Sequence, residues 1–331
     1  MSAFPPDLFA GARFAVVGLG RNGLPAARAL AAMGAEVVAW DDDVASRAQG
    51  AGLEIRPPHP TDQLDALVLS PGIPHTLPRP HPLAALAAAQ NWPVLSDAEL
   101  LFRAVRASGS AARFAGVTGT NGKSTTTALL AHILAGAGVP VAAGGNLGPA
   151  ALALPLLGDD GVYALEMSSY MLERIATIRF DAAAMLNLSA DHLDRHGDMA
   201  GYEAAKRAVF ARQCAADRAI IGIDDAPSAL MAAWLRTRPA RVITISGALP
   251  ADLWSDRGVL RDASGPIVAM RDAAALPGAH NAQNAAAAAA MAMALGVTRA
   301  RAARGIETFP GLPHRQRLVG HVAGVAFIDD S

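Results

Sequence analysis

Cysteine is nearly absent. Cys214 stands alone in 331 residues, so no intrachain disulfide can form and a reducing compartment fits best. An excess of charge is missing too. Lys and Arg total 28 against 29 Asp and Glu, a formal net charge of −1, which argues against a general nucleic-acid or membrane-surface binder. There is no long hydrophobic run either. The longest clean one, Ala285 to Leu295, is too short to span a bilayer. No charged stretch leads into an apolar one at the N-terminus, so no signal peptide is expected and the chain reads as cytoplasmic. What is present suffices for a globular core: 52% hydrophobic residues against 17% charged, over a length that suggests two domains and a fragment of a third.

Lysine is the most telling scarcity. Only Lys123 and Lys206 occur among the 28 cationic side chains. An ammonium is a compact point charge that can lose its proton and react, and guanidinium effectively does neither. A lysine kept in so Arg-rich a chain is therefore a candidate for chemistry.

The pattern along the chain is α/β. Strand Phe14–Val17 runs into Gly18-Leu19-Gly20-Arg21-Asn22-Gly23, and a helix follows with Leu24, Ala27, Leu30 and Ala31 on one face. Strand Glu36–Trp40 ends at Asp41, and strand Ala66–Leu69 ends at Ser70-Pro71-Gly72. Strands alternating with helices predict a parallel sheet with ligands at the strand C-termini. A second such unit starts with strand Arg113–Val117. Helices are expected from Lys123 to about Ala137, over Met199–Cys214, over Asn281–Leu295 and over Arg299–Thr308. After Pro310 a turn and one strand, Val325–Ile328, read as the opening of a third domain. The expected division is 1–97, a Rossmann-like domain; 98–310, a central P-loop-type α/β domain; and 311–331, the start of the third.

Gly119-Thr120-Asn121-Gly122-Lys123-Ser124-Thr125, between a strand and a helix, meets the specification of a phosphate loop. Glycines let backbone N–H groups converge on oxygens, Lys123 reaches the outer phosphates and the Ser124 hydroxyl suits Mg²⁺. Val117 stands where the strict pattern asks for glycine, so this is a variant loop. Glu166, ending the next strand, is where a Mg²⁺-holding acid belongs. The cluster Asp191 to His196 could hold a divalent metal or cap a helix, and His192 is its best single candidate. The Gly18–Gly20–Gly23 spacing with Asp41 beyond it fits a dinucleotide fingerprint. Yet no hydride-transfer constellation follows, and another diphosphate could use the same glycines. A GTPase is excluded by the lysine census, because no Asn-Lys-x-Asp segment exists.

Together with Gly144-Gly145-Asn146, Glu166-Met167-Ser168-Ser169-Tyr170, Asn187–His196, Pro277–Asn284 and Gly311-Leu312-Pro313-His314-Arg315, these segments closely resemble the Mur ligases, ATP-dependent amino-acid ligases of peptidoglycan synthesis. The resemblance runs from Gly18 to Ser331. It implies that Gly119 to Thr125 bind ATP with Asn281, Asn284, Arg315 and Asp330. It further implies two Mg²⁺ sites, with Ser124 and Glu166 at one and His192 and Lys206 at the other, Lys206 as a carbamate. Gly18, Gly20, Arg21, Asn22, Gly23, Asp41, Ser70, Pro71 and Gly72 would take the UDP portion of UDP-N-acetylmuramoyl-L-alanine, with Asn146 and Ser168 at its muramoyl-alanine end. The Glu-x-Ser-Ser-Tyr segment and the first domain favour D-glutamate as the amino acid added, and a monomer is expected.

The sequence departs from this pattern at Met171, where Gln is frequent, and at Arg317, where Glu is frequent. The family's Lys-Ala-Thr-Asn continuation is not present, so a truncated chain of low activity is expected. A sibling ligase adding L-alanine, a folylpolyglutamate synthase relative and an NAD-dependent dehydrogenase are the alternatives.

Overall fold

The computed structural model describes residues 2–146, 148–312, 317–322 and 325–329. It divides into two compact units. One comprises Met1–Thr118, Pro140–Phe180 and Ala190–Arg212, the other Gly119–Val139, Asp181–Ser189 and Gln213–Ser331.

The first unit holds strands β1 (Arg13–Val17), β2 (Glu36–Trp40), β3 (Glu54–Ile55), β4 (Ala66–Leu69) and β5 (Val94–Leu95). They form a sheet in the order β3-β2-β1-β4-β5, every neighbouring pair parallel. Phe14 to Val17 and Ala66 to Leu69 are buried at every position, as expected of strands covered on both faces. The order reverses between β1 and β4, so the loops after these two strands diverge and leave a crevice at their C-terminal ends. Helix Gly23–Ala32 follows β1 and turns Ala26, Ala27 and Leu30 inward. β6 (Arg113–Thr118), β7 (Val141–Gly145) and β8 (Val162–Glu166) add a parallel set ordered β6-β8-β7.

Helix Asp97–Ala107 begins on a capping serine, Ser96 Oγ accepting from the Glu99 N–H at 3.3 Å. Glu99 then secures a loop. Its buried carboxylate accepts from the N–H groups of Ala176, Thr177 and Ile178, the Thr177 hydroxyl and the Arg103 Nε. Burial alone would push this carboxyl up, but the donors from Thr177, Ile178 and Ala176 outweigh it and hold it below the usual carboxylate range.

In the second unit β9 (Ala182–Met185), β10 (Arg218–Gly222), β11 (Arg241–Ser246) and β12 (Leu253–Asp256) are parallel. β13 (Val259–Asp262) and β14 (Gly265–Ala269) continue antiparallel. Helix Ala279–Ala294 is buried all round from Asn281 to Ala292 and packs on helix Lys123–Gly136. Its alanines let neighbouring backbones approach closely. The expected strand near the C-terminus is paired: β15 (Arg317–Val322) and β16 (Val325–Asp329) form an antiparallel hairpin.

One expected helix is shorter than the sequence suggested. Met199–Arg207 is α-helical, and residues Ala208–Phe210 tighten into a 3₁₀ turn well before Cys214. The Cys214 N–H is taken instead by the Asp217 carboxylate at 2.7 Å, which closes a separate turn.

Candidate functional site

The crevice at the end of β1 and β4 is a cleft of about 520 Å³. All of the residues expected to take a sugar nucleotide line it, except Gly23 and Ser168. Gly18 (φ +90°) leaves β1 in a conformation that favours glycine, and a Cβ there would stand 2.7 Å from both Ser70 Cβ and Ile73 Cδ1. The two turns are also tied by Ser70 Oγ, which donates to the Gly18 carbonyl at 2.7 Å. Helix Gly23–Ala32 has no capping side chain and no acid in its first turn, so its N-terminus is open to an anion. Asn22 is held by donating to the Gly145 carbonyl at 3.1 Å. Gly23 is buried as the first residue of the helix.

Asp41 sits where the dinucleotide fingerprint puts a ribose acid, but its carboxylate is already engaged. One oxygen accepts from the Leu19 N–H at 2.6 Å and the other from the Asp43 N–H at 2.9 Å. These bonds shape the loop. His81 also lines the cleft, and a histidine within a Pro- and His-rich stretch carries no local sequence signal of that role. Its Nδ1 accepts from the Leu83 N–H at 3.2 Å, so Nε2 carries the proton and donates to Asp42 at 2.9 Å. That bond, followed by one from Trp40, holds the Asp42 carboxyl below its usual range.

Asn146 also lines the cleft, and its Nδ2 donates to Glu166 Oε1 at 3.0 Å. The Asn146 N–H donates to the Glu166 carbonyl at 2.9 Å. The other carboxylate oxygen, Glu166 Oε2, is buried with no hydrogen-bond partner among the described residues. A carboxylate kept this way at a strand end fits a hard cation. The hydroxyl of Ser168 is used locally. Its Oγ accepts from the Met171 N–H at 3.3 Å and caps the short helix Ser169–Leu172. Met171 is fully buried there, so it packs in the core where Gln was frequent.

His192 is exposed, in left-handed backbone (φ 51°), with Nε2 3.4 Å from Asp191 Oδ2 and its ring 5.0 Å from that of Tyr170. Lys206 is only 2% exposed and holds its ammonium 4.7 Å from the Tyr202 ring centroid. Among the described residues no three His, Cys, Asp or Glu side chains gather as a ready-made metal site. A divalent ion here would depend on oxygens from elsewhere, such as substrate phosphate or a modified lysine, and Mg²⁺ is commonly bound in that way. Between these residues lies a Ser–His–Glu chain: Ser169 Oγ to His196 Nε2 at 2.9 Å and His196 Nδ1 to Glu173 Oε1 at 2.9 Å. Its connectivity is that of a nucleophilic triad, but Ser169 is 2% exposed and His196 8%, so no substrate reaches the hydroxyl. Burial lowers the His196 pKa, and the chain serves to brace the fold.

In the second unit the glycine-rich loop is built as a tight cradle. Gly122 adopts φ +84° before helix Lys123–Gly136, and a Cβ there would collide with Asn284 Oδ1. The helix start again lacks a capping side chain and an acid. Lys123 Nζ donates to the Gly119 and Thr120 carbonyls at 3.0 and 2.8 Å. Asn187 was noted only as part of a motif, yet it braces this loop. Its Oδ1 accepts from the Asn121 N–H at 2.8 Å, its carbonyl accepts from the Thr120 N–H at 3.0 Å, and its Nδ2 donates to the Asn121 carbonyl at 3.2 Å. Asn281 and Asn284 are buried and joined, Nδ2 of Asn284 donating to Oδ1 of Asn281 at 3.0 Å. Ser124 and Thr125 occupy the first turn of the helix. Arg315 and Asp330 lie outside the described residues.

Residues 117–292 match the Mur ligase middle domain. A UDP-N-acetylmuramoylalanine–D-glutamate ligase of Paramagnetospirillum magneticum is 50% identical over 330 residues, covering 98% of this chain and 71% of that protein. The enzyme of the same name from Caulobacter vibrioides is 44% identical, over 96% of this chain and 70% of its own. Among solved structures, the UDP-N-acetylmuramate:L-alanyl-gamma-D-glutamyl-meso-diaminopimelate ligase from Neisseria meningitides superposes with a TM-score of 0.65 over 92% of this chain and all of its own, at 17% identity, a likeness of fold. With half of its positions shared with one such enzyme along nearly its whole length, and the middle domain matched, the chain belongs to the Mur ligase family.

Proposed function

We propose that this protein joins D-glutamate to UDP-N-acetylmuramoyl-L-alanine in an ATP-dependent reaction of peptidoglycan precursor synthesis. The observation that carries the reading is the Asn146–Glu166 hydrogen bond, which links the sugar-nucleotide cleft to a buried carboxylate oxygen left open for a cation. In this reading residues 1–97 take the uridine diphosphate, with its anionic groups at the open N-terminus of helix Gly23–Ala32. Residues 98–310 carry the ATP chemistry, and 311–331 begin a third domain. The compartment is the cytoplasm, in keeping with the lone Cys214; among the described residues no helix is long and apolar enough to cross a membrane.

Amide synthesis must first activate a carboxylate, which is a poor electrophile. A carboxylate oxygen of the acceptor attacks the γ-phosphorus of ATP, ADP departs, and an acyl phosphate remains. The amino group of D-glutamate attacks the acyl carbon and loses a proton, and phosphate leaves. Lys123 would reach the outer phosphates, and the loop N–H groups would orient them. Mg²⁺, when bound, neutralises charge on the phosphate oxygens. Ser124 and Glu166 would hold one ion, and His192 and Lys206 another. The buried side chain of Lys206 suits conversion to a carbamate: the ammonium gives up one proton to become a free amine, which adds CO₂ and releases a second, so that an oxygen anion stands where a cation stood. Asn281 and Asn284 would face the adenine, with Arg315 and Asp330 closing on phosphate and ribose.

The test is phosphate release from ATP by the whole protein with the acceptor present and a panel of D- and L-amino acids. D-glutamate alone should support turnover. Stimulation by L-alanine on UDP-N-acetylmuramate would assign the sibling reaction instead, and tight NAD binding in place of UDP would favour the dehydrogenase.

A further inference from the structure

The Ser70-Pro71-Gly72 turn forms one wall of the cleft, and proline at its centre cannot contribute an N–H to hold it. The Ile73 N–H closes the turn on the Ser70 carbonyl at 3.0 Å, and further bonds reach it from behind. Arg174 is 2% exposed, and its Nη1 donates to the carbonyls of Leu69 at 2.8 Å and Ser70 at 3.0 Å, while Nη2 donates to that of Ile73 at 2.5 Å. Arg195 adds a second fork, to the Gly72 carbonyl at 3.0 Å and the Ile73 carbonyl at 3.4 Å. Its guanidinium lies 4.4 Å from the Tyr170 ring centroid. Two cations thus draw in the backbone oxygens of Leu69, Ser70, Gly72 and Ile73.

Beyond its closing bond a surface turn is normally left to water, and a buried cation is costly to install. Burial and the nearby Arg195 lower the Arg174 pKa to about 10, and Glu173 gives only partial relief. His75, against Arg174 Nε at 3.4 Å, is lowered to about 4 by burial and by Arg174 and Arg195, so it is neutral and adds no charge. The guanidinium fork has the geometry to bind several carbonyls at once, which a lysine lacks.

We infer that Arg174, assisted by Arg195, is a positioning residue for acceptor binding: the pair fixes the Ser70-Pro71-Gly72 turn in the shape that receives the nucleotide diphosphate, and sets positive charge behind it. The inference rests on the reading of the cleft as a UDP site. Neither side chain lines the cleft, so the effect is transmitted through the backbone.

The experiment uses Arg174→Lys and Arg195→Lys in the whole protein, with UDP binding measured by titration and steady-state kinetics for each substrate. Arg174→Lys should raise the UDP Kd and the acceptor KM about tenfold, the scale of one lost charge-assisted hydrogen bond, with kcat and the KM for ATP within about twofold. Arg195→Lys should give a smaller rise in the same two constants, and it supplies the answer if the first variant does not fold. Unchanged UDP affinity in the folded variants would overturn the inference, as would an equal loss in the ATP KM, which marks general damage. If the unsubstituted protein fails to bind UDP, the reading of the cleft itself is wrong.

Discussion

Asn146 reaches two places at once: it lines the cleft at the ends of β1 and β4, and its Nδ2 donates to Glu166 Oε1 across 3.0 Å. The two residues are therefore expected to fail differently. Asn146→Ala removes a hydrogen bond to a carboxylate and should raise the acceptor KM by roughly tenfold or more, since such bonds contribute about 1.5–3 kcal/mol. Glu166→Gln keeps the shape but removes the charge a cation needs. It should lower kcat by about 100-fold or more and raise the Mg²⁺ concentration for half-maximal rate. Equal kinetic effects in both variants would refute the division of labour.

Gly122→Ala tests the cradle. The new Cβ would meet Asn284 Oδ1, which cannot retreat freely because its carboxamide is hydrogen-bonded to Asn281, and φ +84° adds strain of about 1–3 kcal/mol. ATP binding should be lost, and thermal denaturation should come several degrees earlier. The double variant Gly122→Ala/Asn284→Ala should recover part of the stability, because the clash is relieved and only the backbone strain remains. No recovery would mean that the contact with Asn284 is not the cause.

Lys123→Arg conserves charge and should still be severe. The Lys123 ammonium is seated between the Gly119 and Thr120 carbonyls at 3.0 and 2.8 Å, a seat that a broad planar fork does not fit. A fall in kcat of about 100-fold, with folding unaffected by circular dichroism, is expected. Near-normal turnover would show that charge alone suffices.

Glu99 sets an acid limit on stability. Its native pKa is held below the unfolded value, so its contribution is present above the unfolded pKa of about 4.3 and is lost as pH falls through the native value. Glu99→Gln should destabilise the protein by about 2–3 kcal/mol at pH 7, because buried N–H donors lose a charged acceptor. The gap between the variant and the parent should begin to narrow below the unfolded pKa and close as pH falls through the lower native one. Denaturant melts across this range check both points, and a gap that persists at low pH would contradict the assignment.

Much of this was written locally. The parallel architecture followed from buried runs such as Phe14–Val17, and the cradle from the spacing of Gly119, Gly122 and Lys123. Other pieces left no local mark. The segment Leu253–Ala269 became three strands by pairing with one another and with β11, although its polar alternation is weak. Asn187, His81 and Arg174 are ordinary residue types whose partners lie tens of residues away, so no window of sequence could assign them.

The chain alone determined which chemistry is available: two lysines where every other Lys or Arg is arginine, glycines at strand ends, and a carboxylate ending a strand downstream of a glycine-rich loop. Those are properties of residue type and spacing, and they survive without coordinates. Only the tertiary structure decided which of these groups remain open. Glu166 Oε2 has no partner among the described residues, whereas both oxygens of Asp41 and the hydroxyl of Ser168 are already taken by backbone N–H groups. The physical reason is that a polar group's availability depends on every donor and acceptor that folding brings near it, and most of those come from distant parts of the chain.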